Sequence, residues 1–122
     1  MIRFSQLVER AKDQIQEQTV AEVKARMDAG DAFVLIDVRE DREWVTAHVT
    51  GATHIGKGVL ERDIEKAVPD PEVPVVLYCG GGYRSALAAE ALQRMGYKNV
   101  VSMDGGFTCW QNAGYPVTAG GE

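Results

Sequence analysis

Cys79, Gly80, Gly81, Gly82, Tyr83, Arg84 and Ser85 stand in a row, and residues of these types in this order could perform nucleophilic sulfur chemistry. Three successive glycines let the backbone curl until neighbouring N–H groups converge on one point, an anion nest of the kind also found at a helix N-terminus. A thiolate at the centre of such a nest is stabilised, because free cysteine titrates near ~8.5 and helix N-termini or a neighbouring Arg lower that value. Arg84 cannot be neutralised, and its planar fork matches a bound oxyanion. Nucleophile and anion clamp thus share one loop. The competing reading, a buried packing cysteine with glycines in a tight turn, accounts for neither the Arg nor the helix that opens there.

The elements that must position this loop are legible from periodicity. Residues 73–78 form an apolar run of strand length, with Pro74 near its start where a missing N–H is tolerated. Residues 85–95 make the strongest helix in the chain, with Gly96 at its C-terminal cap. Residues 33–38 are a second apolar run, read as a strand buried on both faces and hence part of a parallel sheet. Thr19 and Glu22 form a capping box that opens a helix ending at Gly30. Short helices are expected over 40–47, 59–68 and 107–112, and strands over 52–55 and 99–102. Residues 4–16 carry Phe4, Leu7, Val8, Ala11 and Ile15 at helical spacing, with Ser5 available as N-cap. Strands alternating with helices imply an α/β fold: a small, mainly parallel sheet of about five strands, helices on both faces, and an extra N-terminal helix. Ligands in such folds bind beyond the carboxyl ends of the strands. That rule points to the loops after Val38, Tyr78 and Ser102.

Composition narrows the function classes. With 122 residues, 45% apolar and 25% charged, the chain has the length and make-up of one globular domain. The formal charge is −5, and all of it arises in residues 31–72, where ten acids face five bases. No basic cluster exists for nucleic acid. The longest apolar runs are far too short for a membrane span, and charges at Glu9, Arg10, Lys12 and Asp13 exclude an apolar leader core. The expected location is therefore cytoplasmic. Two cysteines, Cys79 and Cys109, are not needed as a staple in a domain of this size.

The residues resemble the rhodanese family of sulfurtransferases in its single-domain form. The likeness covers residues 19–117. It rests on Leu35-Ile36-Asp37-Val38-Arg39 followed by Glu43 and Trp44, on His48 with Gly51-Ala52, on the Cys79-to-Arg84 loop, and on Gly105-Gly106-Phe107 with Trp110. The domain division this implies is an N-terminal extension over 1–18 and a rhodanese-like domain over 19–122. By resemblance, Cys79 accepts a sulfane sulfur from a donor such as thiosulfate, becomes a persulfide, and passes the sulfur to cyanide or a thiol. Gly80, Gly81, Gly82, Tyr83 and Arg84 would cradle that sulfur. No cofactor is implied beyond the covalent persulfide. A second reading is a persulfide carrier that serves a protein partner. A weaker one is a cysteine-dependent phosphatase or arsenate reductase, disfavoured because those enzymes use Cys-x5-Arg and this chain has Cys-x4-Arg.

Other residues carry lesser expectations. Asp37 and Arg39 are read as an ion pair near the mouth, to which Glu43 adds. Lys57 is either a cation at the entrance or a solvated side chain. By resemblance, His48 holds a turn, and no metal site is expected at His48 and His54. Ala47 and Gly56 depart from the family's usual Gly and Pro and loosen a loop beside the site. Trp44 and Trp110 are expected to pack. Cys109 is expected to be a small buried hydrophobe, with a resolving thiol as its alternative. The N-terminal helix is expected to pack against the domain.

Overall fold

A computed structural model describes residues 1–121. Five parallel strands form the main sheet: β1 (Gln16–Thr19), β2 (Val34–Asp37), β4 (Thr53–His54), β5 (Val75–Tyr78) and β6 (Val100–Asp104), in the order β1-β6-β5-β2-β4. A two-residue strand β3 (His48–Val49) pairs antiparallel with β7 (Val117–Thr118) as a separate ribbon. The helices are α1 (Phe4–Lys12), α2 (Val20–Asp28), α3 (Asp41–Thr46), α4 (Leu60–Ala67), α5 (Tyr83–Arg94) and α6 (Gly106–Asn112), and a 3-10 turn at Lys57–Val59 precedes α4. This is the expected α/β architecture.

Alternation along the strands sorts the core into two layers. Ile36, Val75, Leu77 and Val100 pack with Leu60, Ile64, Ala88, Ala89 and Leu92 of α4 and α5 on one face. Leu35, Val76, Tyr78, Val101 and Met103 pack with Val23 of α2 and Phe107 and Trp110 of α6 on the other. The N-terminal helix packs through Val8 and Ala11 on Ala86 of α5. It is thereby attached to the helix that follows the cysteine loop.

Local chemistry explains most boundaries. Thr19 Oγ1 accepts the N–H of Glu22 (3.1 Å) and Glu22 Oε1 accepts that of Thr19 (2.8 Å), the expected capping box. At α1 the expectation changes: Arg3, not Ser5, takes the cap position, and the helix stops at Lys12. Gln16, expected in that helix, belongs to β1. Gln-Glu-Gln-Thr shows no apolar alternation because the strand lies at the sheet edge and is largely exposed. Helix α5 opens at Tyr83, two residues before the expected start. Strand β6 runs to Asp104, two residues beyond the expected end.

Chain order and strand order together locate the crevice. After β2 the chain moves outward to β4, and after β5 it moves the other way to β6, so adjacent β2 and β5 flank a topological switch point. At its floor Asp37, fully buried, binds Arg39 through Nε–H to Oδ1 (3.0 Å) and Nη2–H to Oδ2 (2.8 Å), and also accepts the Arg39 backbone N–H (2.9 Å). Arg39 Nη2 further donates to the carbonyl of Ala47 (2.6 Å), and the guanidinium lies 4.3 Å from the Phe107 ring centroid. This is the ion pair read from the sequence, and it ties the end of β2 to α3 and α6. Asp37→Ala, which leaves the Arg39 charge buried without its partner, is expected to cost about 3–5 kcal/mol, read as a lowered midpoint in urea denaturation.

Candidate active site

Cys79 leaves β5 into the crevice, and its side chain is 1% exposed. The Gly82 N–H donates to Sγ at 3.1 Å and the Ser85 N–H at 3.4 Å, while Ser85 Oγ stands 3.5 Å away. Gly82 has φ = 104°, a left-handed conformation open to glycine, and it caps α5. The first turn of α5 is thereby brought under the sulfur. Ser85 Oγ is itself 2.8 Å from Ser102 Oγ of β6, and both serines are fully buried. Burial alone would push the thiol up. The Ser85 hydroxyl and the backbone N–H groups of Ser85, Gly82 and Gly81 outweigh it and bring Cys79 below its ordinary value.

The curl of the loop is imposed from α6. The Phe107 N–H donates to the Cys79 carbonyl (2.8 Å) and the Thr108 N–H to the Gly80 carbonyl (3.0 Å). With those carbonyls engaged, the loop's free N–H groups turn to the sulfur. The approach is close enough that a Cβ on Gly106 would meet the Gly80 carbonyl carbon and oxygen at 2.7 Å. Only glycine fits there.

Arg84 lies across the mouth. Its Nη1–H and Nη2–H donate to Glu43 Oε1 (2.7 Å) and Oε2 (3.1 Å), a bidentate pair between α5 and α3. The fork expected to clamp an anion is thus already neutralised in part. The Arg84 hydrogen bonds, aided by the Glu40 N–H (2.9 Å from Oε1), hold the Glu43 carboxyl down at about 2 against a partial desolvation that opposes them. Glu43 pairs with Arg84, and the Asp37–Arg39 pair is separate from it. Two clefts open on either side of the Arg84–Glu43 bridge. One, of about 390 Å³, includes Glu43, Arg42, Phe107 and Gln111 in its walls. The other, of about 320 Å³, includes Arg84, Lys57, Glu40, Phe4 and Leu87.

Of the residues singled out in the sequence, Cys79, Gly80, Gly81 and Gly82 form one loop, Tyr83 and Arg84 open α5 directly after it, and Lys57 lines a cleft with Arg84. Tyr83 points outward, 56% exposed, with its ring edge-on to Phe4 at 6.5 Å. His48 donates from Nδ1 to the Trp44 carbonyl (3.0 Å), and its ring stacks on Trp44 at 3.4 Å. Trp44 and Trp110 are both buried. Cys109 departs from expectation: it is exposed rather than buried, because it stands on the outer face of α6 while Phe107 and Trp110 take the inner one. The sequence does not single out Ser85 as a contact of the thiol, nor Ser102 as the partner of the Ser85 hydroxyl. Their signal is weak in sequence, since nothing near Ser102 announces that β6 runs beside the cysteine strand. Among the described residues, no group of three or more His, Cys, Asp or Glu side chains is placed to hold a metal ion. No helix there is long and apolar enough to cross a membrane.

Comparison with known proteins adds four findings. A family model described as Rhodanese-like domain matches residues 19–113. The thiosulfate sulfurtransferase GlpE of Pseudomonas entomophila is 35% identical over 86 residues, 70% of this chain and 76% of that protein. The probable adenylyltransferase/sulfurtransferase MoeZ of Mycobacterium tuberculosis is 35% identical over 92 residues, which are 75% of this chain but 24% of that longer protein. Among solved structures, a Rhodopseudomonas palustris protein of unknown function, described as a possible tyrosine phosphatase, superposes with a TM-score of 0.86 at 32% identity, covering 97% of this chain and 96% of its own.

Two measurements probe the site. Ser85→Ala removes a hydroxyl from the thiol and is expected to move the pH midpoint of Cys79 alkylation by iodoacetamide upward; an unchanged midpoint would assign the stabilisation to the backbone N–H groups alone. Because the folded Glu43 carboxyl titrates at about 2 rather than 4.5, its contribution to stability is full above pH 4.5 and is lost as pH falls towards 2. Glu43→Gln should remove that part of the acid dependence of the urea midpoint.

Proposed function

The chain belongs to the rhodanese-like domain family, and on that premise we propose that it is a sulfurtransferase in which Cys79 carries a sulfane sulfur from thiosulfate to cyanide or a thiol. The observation that carries this reading is the convergence of the Gly82 N–H, the Ser85 N–H and the Ser85 hydroxyl on Cys79 Sγ. A buried thiol so surrounded favours the thiolate, the form that attacks sulfur.

In the first half-reaction the thiolate attacks the outer sulfur of thiosulfate. A new S–S bond forms, the old one breaks, and its electron pair leaves with sulfite. In the second, the acceptor attacks the outer sulfur of the persulfide, and the pair of the broken S–S bond returns to Cys79. The loop N–H groups face the sulfur throughout. Glu43 occupies only part of the Arg84 fork, so guanidinium N–H groups remain to steady an anionic donor. Neither half-reaction requires a general acid, and no cofactor enters.

That last point weighs against phosphatase chemistry, which the name of the Rhodopseudomonas palustris relative suggests for that protein. Expulsion of an alkoxide or phenoxide calls for a proton from a nearby acid. Glu43, the carboxyl at the mouth, is held at about 2 and is an anion at neutral pH.

Incubation with thiosulfate is expected to add the mass of one sulfur to a peptide containing Cys79, and cyanide is expected to remove it with formation of thiocyanate. Cys79→Ser should lower thiosulfate:cyanide turnover by on the order of a thousandfold or more. Absence of the adduct in the wild type, or rapid hydrolysis of an aryl phosphate instead, would overturn the reading.

A further inference from the structure

The cleft on the Arg84 side of the mouth is built in part by the N-terminal helix. Helix α1 is fixed to α5 by Val8, Ala11 and Ala86, which brings Phe4 against the cysteine loop, edge-on to Tyr83. Phe4 then forms one wall of the cleft, with Val38 and Leu87 as further apolar lining. A bare inorganic acceptor gains nothing from such walls, whereas an organic one buries carbon against them.

Two opposite charges line the same space. Lys57 opens the 3-10 turn and is placed by its backbone N–H, which donates to the Val38 carbonyl (3.0 Å). Glu40 stands at the cap position of α3. Neither side chain forms an ion pair among the described residues. The third charged group, Arg84, is answered by Glu43. The cleft therefore offers a cation and a carboxylate that no opposite charge answers among the described residues, the carboxylate being turned to the Glu43 backbone N–H at the start of α3. That arrangement is poor for a dianion but complementary to a zwitterion. Arg84 lines this cleft and its Nη2 also lies over Gly80, the residue after Cys79, where an added Cβ would meet it at 3.2 Å.

We infer that the Phe4–Lys57–Glu40 cleft is an acceptor subsite for a small α-amino-acid thiol, its carboxylate on Lys57, its ammonium on Glu40 and its carbon chain against Phe4 and Leu87. The inference rests on the sulfurtransferase reading and specifies its acceptor. The acceptor thiolate attacks the outer sulfur of the Cys79 persulfide. The new S–S bond makes the amino-acid persulfide, the bond to Cys79 breaks with its electron pair on Sγ, and no oxidant or reductant is consumed. Phe4, Lys57 and Glu40 choose the acceptor; they are specificity residues and touch neither reacting sulfur.

The test loads the full chain with thiosulfate and follows discharge to four thiols: L-cysteine, 3-mercaptopropionate with the carboxylate alone, cysteamine with the ammonium alone, and 2-mercaptoethanol with neither. After allowance for thiol acidity, cysteine is expected to have the highest kcat/KM. Lys57→Ala should lower its advantage over cysteamine roughly tenfold, and Glu40→Gln its advantage over 3-mercaptopropionate by a similar factor, as expected for single charge-assisted contacts. Phe4→Ala should raise KM for the organic thiols several times more than for cyanide. Equal loss across the four thiols, or none, would overturn the subsite.

Failure of Cys79 to take up sulfur at all would overturn the sulfurtransferase reading by itself. The cleft is then judged by equilibrium binding of unreactive S-methyl-L-cysteine. Saturable binding by the wild type that Lys57→Ala abolishes supports the subsite, and no binding by the wild type removes it.

Discussion

Two backbone carbonyls decide the character of this molecule. Those of Cys79 and Gly80 are taken by the N–H groups of Phe107 and Thr108, which fixes the direction of the first two peptides of the turn. A peptide whose oxygen points to α6 presents its other groups to the crevice, and the Gly82 and Ser85 N–H groups end on the sulfur. The contact needs a helix start without a side chain, and Gly106 supplies it. The loop, the sheet and α6 therefore constrain one another: β5 delivers the cysteine, β6 delivers Ser102 beneath it, and the turn after β6 supplies the donors that shape the loop.

Electrostatics at the mouth is a balance of local pairs rather than a field. Asp37 neutralises Arg39 at the floor, and Glu43 answers Arg84 above it. The chain's net −5 contributes nothing favourable to an anionic donor. Attraction must come from groups whose charge or dipole is not already answered: the loop N–H groups, the free part of the Arg84 fork, and Lys57. Burial of the thiol works against its ionisation, and the hydrogen bonds overcome that opposition. Short-range, directional donors succeed here because the dry surroundings that penalise the charge also strengthen each bond to it.

Where strong local signals and tertiary demands agree, the elements were legible. The apolar runs ending at Asp37 and Tyr78 are buried parallel strands because short runs rich in Val and Ile, bounded by turns, suit a strand covered on both faces. The Thr19–Glu22 capping box opens α2 because its hydrogen bonds close within four residues. Gln16–Thr19 was not legible as a strand, since an edge strand with exposed polar side chains leaves no alternation to read. Residue type alone would bury Cys109. The register of α6, set by the inward Phe107 and Trp110, turns it outward instead.

The order of residues alone determined the nucleophile, its glycine loop, the α/β class and the Arg that accompanies them, because each depends on groups within a few positions of one another. It determined the presence of Glu43, Ser102, Gly106 and Phe4 but not what they do. Glu43 lies 41 positions from Arg84 and Ser102 lies 17 from Ser85. Phe4 meets Tyr83 only because α1 folds back over α5. Partners so distant in the chain become neighbours through strand order and helix packing. The tertiary structure therefore decided which carboxylate answers Arg84 at the mouth, which hydroxyl backs Ser85 beside the thiolate, and which apolar wall the active site borrows from the N-terminal helix.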